Sequence, residues 1–224
     1  MFRYKAINNG AMSTEQPLQK MDTRSRILAI ALKHFARNGY AGTRLDDIAN
    51  DVGIRRPSLF HHFKDKATLY KAVWKYTIDE QDAKLAPYFD QADTSPTELL
   101  NLATDAWVEY AFSNPDFIYL SLHAAVSGRA SDHPQLASTL TLERWQQLIE
   151  RGVNEGVFNT VPFVECMSLL AGMTSFYLTT PNNALPQLTD SYSGDRVLFA
   201  NRLKLLMSNL LIKPQAENIL PFRR

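Results

Sequence analysis

One glycine, Gly53, divides two short helical patterns and constrains the fold more than any other feature of the sequence. Before it, Leu45, Ile48 and Val52 recur at intervals of three and four residues, which places them on one face of a helix. A glycine directly after such a face ends a helix at little cost, because it adopts a left-handed conformation easily. Pro57 then takes an early position in a second helix, where its missing N–H is no loss. The spacing predicts two short helices joined by a tight turn, the helix-turn-helix arrangement.

Two adjacent arginines, Arg55 and Arg56, stand at the predicted N-terminus of the second helix. Cations there oppose the helix dipole and destabilise the helix by roughly 0.3–1 kcal/mol each, which favours a partner that brings negative charge. In DNA-binding forms of the motif, the N-terminal residues of the second helix meet base edges in the major groove. Arginine is suited to that position because it makes bidentate contacts with guanine.

The segment from residue 43 to residue 66 resembles the DNA-binding domain of TetR-family transcription regulators. The resemblance extends back through a helix at 24–38 and forward to Val73, about fifty of the 224 residues. It implies an all-α fold of about nine helices, with an N-terminal three-helix DNA-binding domain and a C-terminal effector-binding and dimerisation domain. The residues that carry it are Leu45-Asp46-Asp47-Ile48-Ala49, Val52-Gly53-Ile54, Ser58-Leu59-Phe60, His62-Phe63 and Lys64-Asp65-Lys66.

The resemblance and the residue chemistry together predict a DNA-binding surface. Thr43 is expected both to cap the first motif helix and to contact a phosphate. Phe60 departs from the family, because most members have tyrosine there; without the hydroxyl that would bond a phosphate, Phe60 packs or touches a thymine methyl. The predicted DNA-binding residues are Thr43, Arg44, Arg55, Arg56, Pro57, Ser58, Phe60, His61, Lys64 and Lys66.

The distribution of charge supports this prediction, although the net charge is only +1. Residues 20–71 hold eleven Lys and Arg against five Asp and Glu, a net charge of +6. Residues 72–224 hold eleven basic and seventeen acidic residues, a net charge of −6. A basic head on an acidic body is the asymmetry expected of a DNA-reading domain with a separate effector domain.

The chain divides into a flexible tail (1–20), the helix-turn-helix domain (21–70) and a helical body (71–224). The tail is either passive or reaches into a minor groove. A long helix is predicted from Lys66 to about Lys84, ending before Pro87, with a linker at 86–95. Helices are also predicted at 163–178 and 196–211. In the family the corresponding pair forms a four-helix dimer interface; the alternative is that both are simply core.

An effector site is expected in the body, because TetR-like regulators bind a small molecule there and release DNA. An apolar, aromatic cavity with a few polar tips would suit a hydrophobic or aromatic ligand. Ordinary core packing is the alternative for each candidate. The candidates are Trp107, Tyr110, Phe117, Tyr119, His123, Trp145, Met173, Phe176 and Tyr177.

No catalytic motif, phosphate-binding loop or metal-ligand spacing occurs, so no enzyme activity, cofactor or metal site is predicted. The one cysteine, Cys166, fits a reducing cytoplasm, and no apolar run is long enough for a transmembrane helix. We therefore predict a cytoplasmic, homodimeric DNA-binding regulator with a palindromic operator and a small hydrophobic or aromatic effector. Repression is the expected mode. The alternatives are an activator of the same fold and a helical module whose basic head binds a protein.

Overall fold

The computed structural model describes residues 21–91, 93–127, 139–180 and 195–213. Within these ranges the chain forms nine helices and no strand, so the prediction of an all-α fold is confirmed. The predicted tail lies outside the described residues, as do residues 128–138 and 181–194. The helices are α1 (Thr23–Gly42), α2 (Leu45–Val52), α3 (Arg56–His62), α4 (Lys66–Phe89), α5 (Pro96–Ser113), α6 (Pro115–Val126), α7 (Thr139–Asn154), α8 (163–179) and α9 (Arg196–Leu211).

Polar side chains set the starts of several helices. Asp22 caps α1 and Ser95 caps α5, as their positions in the sequence predict. Asp65 caps α4 by accepting a hydrogen bond of 2.7 Å from the backbone N–H of Thr68, and that bond lowers the pKa of the Asp65 carboxyl. Each cap satisfies backbone donors that have no partner inside their own helix. The helix starts therefore depend on local chemistry that can be read from the sequence.

Two expectations about helix ends are wrong. Thr43 does not cap α2, because Arg44 holds the cap position and makes no side-chain bond. The α4 helix does not stop before Pro87 but continues through it for two more residues. Proline in a last turn removes one backbone hydrogen bond, and Arg144 of α7 supports this end by donating to the carbonyl oxygen of Ala86 at 3.3 Å. The predicted linker is shorter as a result.

The DNA-binding head and the body meet along α1, which packs against α6 as well as α2 and α4. Near the end of α1, Gly39 has a φ of +65°, and a Cβ added there would lie 3.2 Å from Nδ1 of His123 on α6. Inside the head, Ile48, Leu59 and Phe35 are fully buried. The motif helices therefore rest on α1, and α1 rests on the body.

The helix pair α8 and α9 presents apolar side chains to solvent. The α8 helix changes to a π-helical turn over Ser168–Gly172 before returning to an α-helix. The α9 helix packs on α5, where Lys204 pairs with Asp105 at 2.9 Å. On the opposite side lie exposed apolar residues that we call the α8–α9 face: Val164, Phe176, Val197, Leu198, Leu205 and Leu206.

Candidate nucleic-acid interface

The turn between α2 and α3 has the geometry that the sequence predicts. Gly53 adopts a left-handed conformation, with φ 78° and ψ 32°. The N–H of Ile54 bonds to the carbonyl oxygen of Ala49 at 3.0 Å, which closes the end of α2. Pro57 lies in the first turn of α3. With Leu59 buried beneath it, α3 is held against α1 and α2 with its other side in solvent.

The predicted contact residues of α3 lie on its solvent side. Arg55, at the cap position, and Arg56, the first helical residue, are both exposed. Arg44 at the start of α2 and Lys64 after α3 are also exposed. Pro57, Ser58 and His61 share the exposed side of α3. A rigid helix thus offers two cations at its N-terminus, where a DNA phosphate or base edge would relieve their conflict with the helix dipole.

Arg56 is held by two neighbours. Its Nη1 donates to a carboxylate oxygen of Asp46 at 3.0 Å, and its guanidinium lies over the ring of Phe60, 5.4 Å from the centroid. Phe60 is 37% exposed, so the ring is both an arginine platform and part of the surface. Sequence reasoning missed Asp46, because an acidic residue in the first turn of a helix is already explained by the helix dipole.

Lys66 already has partners inside the protein. Its ammonium group donates to the carbonyl oxygen of Ala41 at 3.3 Å and lies 4.7 Å from the ring centroid of Tyr40. These contacts hold the end of α1 against the start of α4. A phosphate contact by Lys66 stays a prediction, and it would have to compete with these bonds, whereas the exposed Lys64 has no such competition among the described residues.

Thr43 is a correction to the predicted surface. It is only 2% exposed, and its hydroxyl lies within hydrogen-bond distance of two carbonyl oxygens, that of Gly39 at 2.7 Å and that of His34 at 3.0 Å, to which its one proton can be donated. A hydroxyl that is buried and bonded in this way has no accessible side toward a phosphate. Thr43 ties α2 to the end of α1, and we omit it from the proposed interface.

Comparison with known proteins decides the family. The model of bacterial regulatory proteins of the tetR family matches residues 27–73. The chain is 28% identical over 155 residues to the HTH-type transcriptional repressor KstR2 of Mycolicibacterium smegmatis, covering 66% of this chain and 73% of that protein. The chain belongs to the TetR family.

Other relatives of this TetR-family protein match the head or the fold. The HTH-type transcriptional regulator AcrR of Shigella flexneri is 38% identical over 65 residues, which is 29% of each chain. A crystal structure of a tetR-family regulatory protein from Rhodococcus RHA1 is 17% identical, with a TM-score of 0.65 over 87% of this chain and all of that one. At that identity the structural likeness establishes the fold.

Three of the predicted effector residues form one aromatic cluster in the body of this TetR-family protein. Trp107, Tyr110 and Phe117 are buried, and Tyr110 lies 6.4 Å from Trp107 and 5.7 Å from Phe117 between ring centroids. Trp107 Nε1 donates to the hydroxyl of Thr174 at 3.0 Å. The Tyr110 hydroxyl bonds to the carbonyl oxygen of Thr77 at 3.4 Å, and burial raises the pKa of that hydroxyl. The polar tips are thus neutral and satisfied within the protein.

The remaining effector candidates are not part of this three-residue aromatic cluster. Trp145 packs on Phe89 at 5.3 Å between centroids, and Tyr177 packs on Phe199 at 4.4 Å. His123 lies at the contact between α1 and α6. Tyr119 is buried, Met173 is partly buried, and Phe176 is on the α8–α9 face. The candidates are spread over α5, α6, α7 and α8, and their effector role stays a prediction.

A cavity of about 320 Å³ lies between α4, α5 and α7. None of the predicted effector residues lines it; its walls include Phe89, Leu99, Arg144, Leu148 and Arg151. Across the described ranges, no three His, Cys, Asp or Glu side chains meet as a metal ion would require. No helix in those same ranges combines the length and the apolar character needed to cross a bilayer.

Proposed function

We propose that this TetR-family transcriptional regulator is a repressor that binds a palindromic operator as a homodimer and leaves it when a small effector binds. The supporting observation is the N-terminus of α3, where Arg55 and Arg56 are exposed to solvent. The opposite side of the helix is anchored by Leu59, which is fully buried. KstR2, which matches 66% of this chain, is named as a transcriptional repressor. Repression is therefore favoured over activation by the same fold.

In the proposed complex, α3 enters the major groove with its N-terminal end toward the bases. Arg55 and Arg56 read base edges, and Pro57, Ser58 and His61 face the groove. Arg44 and Lys64 neutralise phosphates from either side of α3. Contacts to phosphate fix the orientation of the protein, and contacts to base edges supply the sequence preference.

The homodimer would form through the α8–α9 face. Val164 is 68% exposed and Leu205 is 61% exposed, and a stretch of apolar side chains on two adjacent helices is unfavourable in water. A two-fold dimer presents two α3 helices, and heads about 34–36 Å apart meet successive major grooves on one side of the duplex. The operator would then be a palindrome.

The proposed effector is a small hydrophobic or aromatic molecule in the body. The α4 helix supports coupling, because it begins beside the head at Lys66 and reaches α7 through the contact of Ala86 with Arg144. An effector that fixes the body in one arrangement would move α4 and change the separation of the heads. A shift from 1:99 to 99:1 between two states needs about 5.5 kcal/mol of differential affinity.

Selection of bound duplexes from random DNA, at a salt concentration near 0.1 M, tests the proposal. The expected product is a palindrome whose half-site centres lie about one helical turn apart. The same DNA is then used to screen hydrophobic and aromatic compounds for release. If no duplex is enriched and none is retained at low salt, DNA recognition is wrong and a protein partner for the basic head becomes the better explanation.

A further inference from the structure

Asp46 stands out on the predicted DNA-binding side of the protein because it is acidic and partly exposed to solvent. Its side chain is 42% exposed and pairs with Arg56, which is 57% exposed. Asp47, the next residue, is also exposed and has no ion pair among the described residues. The two carboxylates share the first turn of α2 and differ in whether they hold an arginine.

The helix dipole accounts for one carboxylate in this turn but not for the contact with Arg56. A negative charge at a helix N-terminus contributes roughly 0.3–1 kcal/mol, and Asp47 supplies that charge as well as Asp46 does. Close to a DNA backbone, each carboxylate is repelled by phosphates. The presence of Asp46 beside Asp47 therefore suggests that Asp46 has a function that offsets its repulsion by DNA phosphates.

The contact with Asp46 restricts how Arg56 can be oriented. A free arginine side chain samples many rotamers and turns toward the nearest phosphate. Here the carboxylate engages Nη1 while the ring of Phe60 supports the plane of the guanidinium. Most of the N–H donors of the planar group stay available for a base edge. Fixing the orientation before binding lowers the entropic cost of a bidentate contact.

We propose that Asp46 is a positioning residue for sequence recognition: it holds Arg56 on Phe60 so that Arg56 reads a base instead of neutralising a phosphate. The inference rests on the proposed function, because it requires that α3 enter the major groove. It adds a specificity role for a residue that lies on α2 and need not touch DNA.

Electrostatics and positioning give opposite expectations for the Asp46→Asn variant. If Asp46 acts only through its charge, its removal strengthens binding to every duplex by the same factor. If Asp46 positions Arg56, its removal strengthens or preserves binding to random DNA but weakens discrimination at the base pair that Arg56 reads. The ratio of specific to non-specific affinity separates the two expectations, whereas the affinity for one duplex does not.

The experiment measures the affinity of wild type, Arg56→Ala, Asp46→Asn and Asp47→Asn for the selected operator, its single-base-pair variants and random DNA. Arg56→Ala identifies the base pair that Arg56 reads. Asp46→Asn is expected to lose about two- to fivefold of the discrimination at that base pair, the range for an exposed ion pair. Asp47→Asn is the matched control, because it removes the same charge from the same turn, and it should preserve the discrimination.

A double variant separates positioning from damage to the fold. In the Arg56→Ala background, Asp46→Asn should cause no further loss of discrimination, and Asp46→Glu in the wild-type background should restore part of it. Equal gains for both Asn variants on all duplexes would overturn the inference, as would full base discrimination by Arg56→Ala. Failure of wild type to bind any duplex would instead contradict the proposed function.

Discussion

At the scale of single residues, the two arginines at the N-terminus of α3 differ in the contacts that their side chains make. Arg55 has no ion pair among the described residues, while its neighbour Arg56 is held by Asp46 and Phe60. Two arginines that are adjacent in sequence are therefore in different physical situations. In the proposed complex, Arg55 could contact either a base or a phosphate. The orientation of Arg56 is restricted by Asp46 and Phe60 before DNA binds.

The first prediction concerns these arginines. Arg55→Ala and Arg56→Ala should each weaken binding to the selected operator by about 1–3 kcal/mol and relax base preference at one position per half-site. Lys64→Ala should weaken binding to all duplexes and reduce the slope of affinity against salt concentration. Gel-shift titrations at several salt concentrations measure both effects. Equal losses on operator and random DNA for the arginine variants would contradict their base-reading role.

The second prediction concerns Gln81, a buried polar residue in α4. It is 2% exposed, and its carbonyl oxygen Oε1 has no hydrogen-bond partner within the part of the chain that the structure describes. Leaving such an acceptor unpaired costs about 1–3 kcal/mol. Gln81→Met keeps the length of the side chain and removes the polar atoms, so the free energy of unfolding should rise by about 1 kcal/mol.

Urea denaturation at equal protein concentrations measures the effect of Gln81→Met, because oligomerisation makes stability depend on concentration. The exposed Gln147 provides a matched control, and Gln147→Met should change the stability by less than about 0.5 kcal/mol. A clear loss of stability in Gln81→Met would mean that the oxygen has a partner, such as a buried water.

At the scale of helices, the sequence predicts what local chemistry decides and misses what distant contacts decide. The turn at Gly53, the cap at Asp65 and both ends of α9 follow from residue types close in the chain. The end of α4 around Pro87 accepts a hydrogen bond from Arg144, which is 58 residues away from Ala86 in the chain. The pairing of Asp46 with Arg56 crosses the motif turn, and periodicity within either helix carries no signal for it.

The predicted effector residues depend even more on contacts between distant parts of the chain, which the sequence does not reveal. Trp107 and Tyr110 could be recognised as neighbours because they are one helical turn apart on α5. Their positions relative to Trp145 and Tyr177 depend on how α7 and α8 are arranged around α5. Aromatic composition indicates an apolar interior, but it does not say which of these side chains share a space.

The third prediction tests the contact between α1 and α6, which joins the head to the body. Gly39 has a positive φ, and a Cβ there would lie 3.2 Å from a His123 ring atom. Gly39→Ala should therefore lower the free energy of unfolding by about 1–3 kcal/mol from backbone strain alone. Gly42→Ala is the control, because its nearest contact, at 3.4 Å, is ordinary and its φ is not positive. Similar stability for both variants in urea would contradict the expected backbone strain at residue 39.

At the scale of the whole molecule, the proposed function requires two copies of α3, because each alone would bind a duplex weakly. One short helix with two arginines contacts only a few base pairs, and its affinity is dominated by charge. A dimer doubles the number of base contacts and fixes their spacing, so that random sequences satisfy only part of the surface. In the proposed complex, the basic head would attract DNA and the acidic body would repel phosphates, so DNA would lie at one end of each subunit.

The last prediction is that the α8–α9 face holds the dimer together. Leu205→Glu places a charge in the middle of that face and should convert the protein to a monomer, because burying an unpaired carboxylate costs several kcal/mol. Leu140→Glu on α7, where the side chain is 44% exposed, introduces the same charge at an exposed apolar residue outside the face. Light scattering after gel filtration should give half the mass for the first variant and an unchanged mass for the second.

The monomer should lose preference for a full palindrome over a half-site while keeping weak, salt-sensitive attraction to any duplex. A Leu205→Glu protein that stays dimeric would place the subunit interface on another surface, and the expected spacing of the two α3 helices would then have to be abandoned.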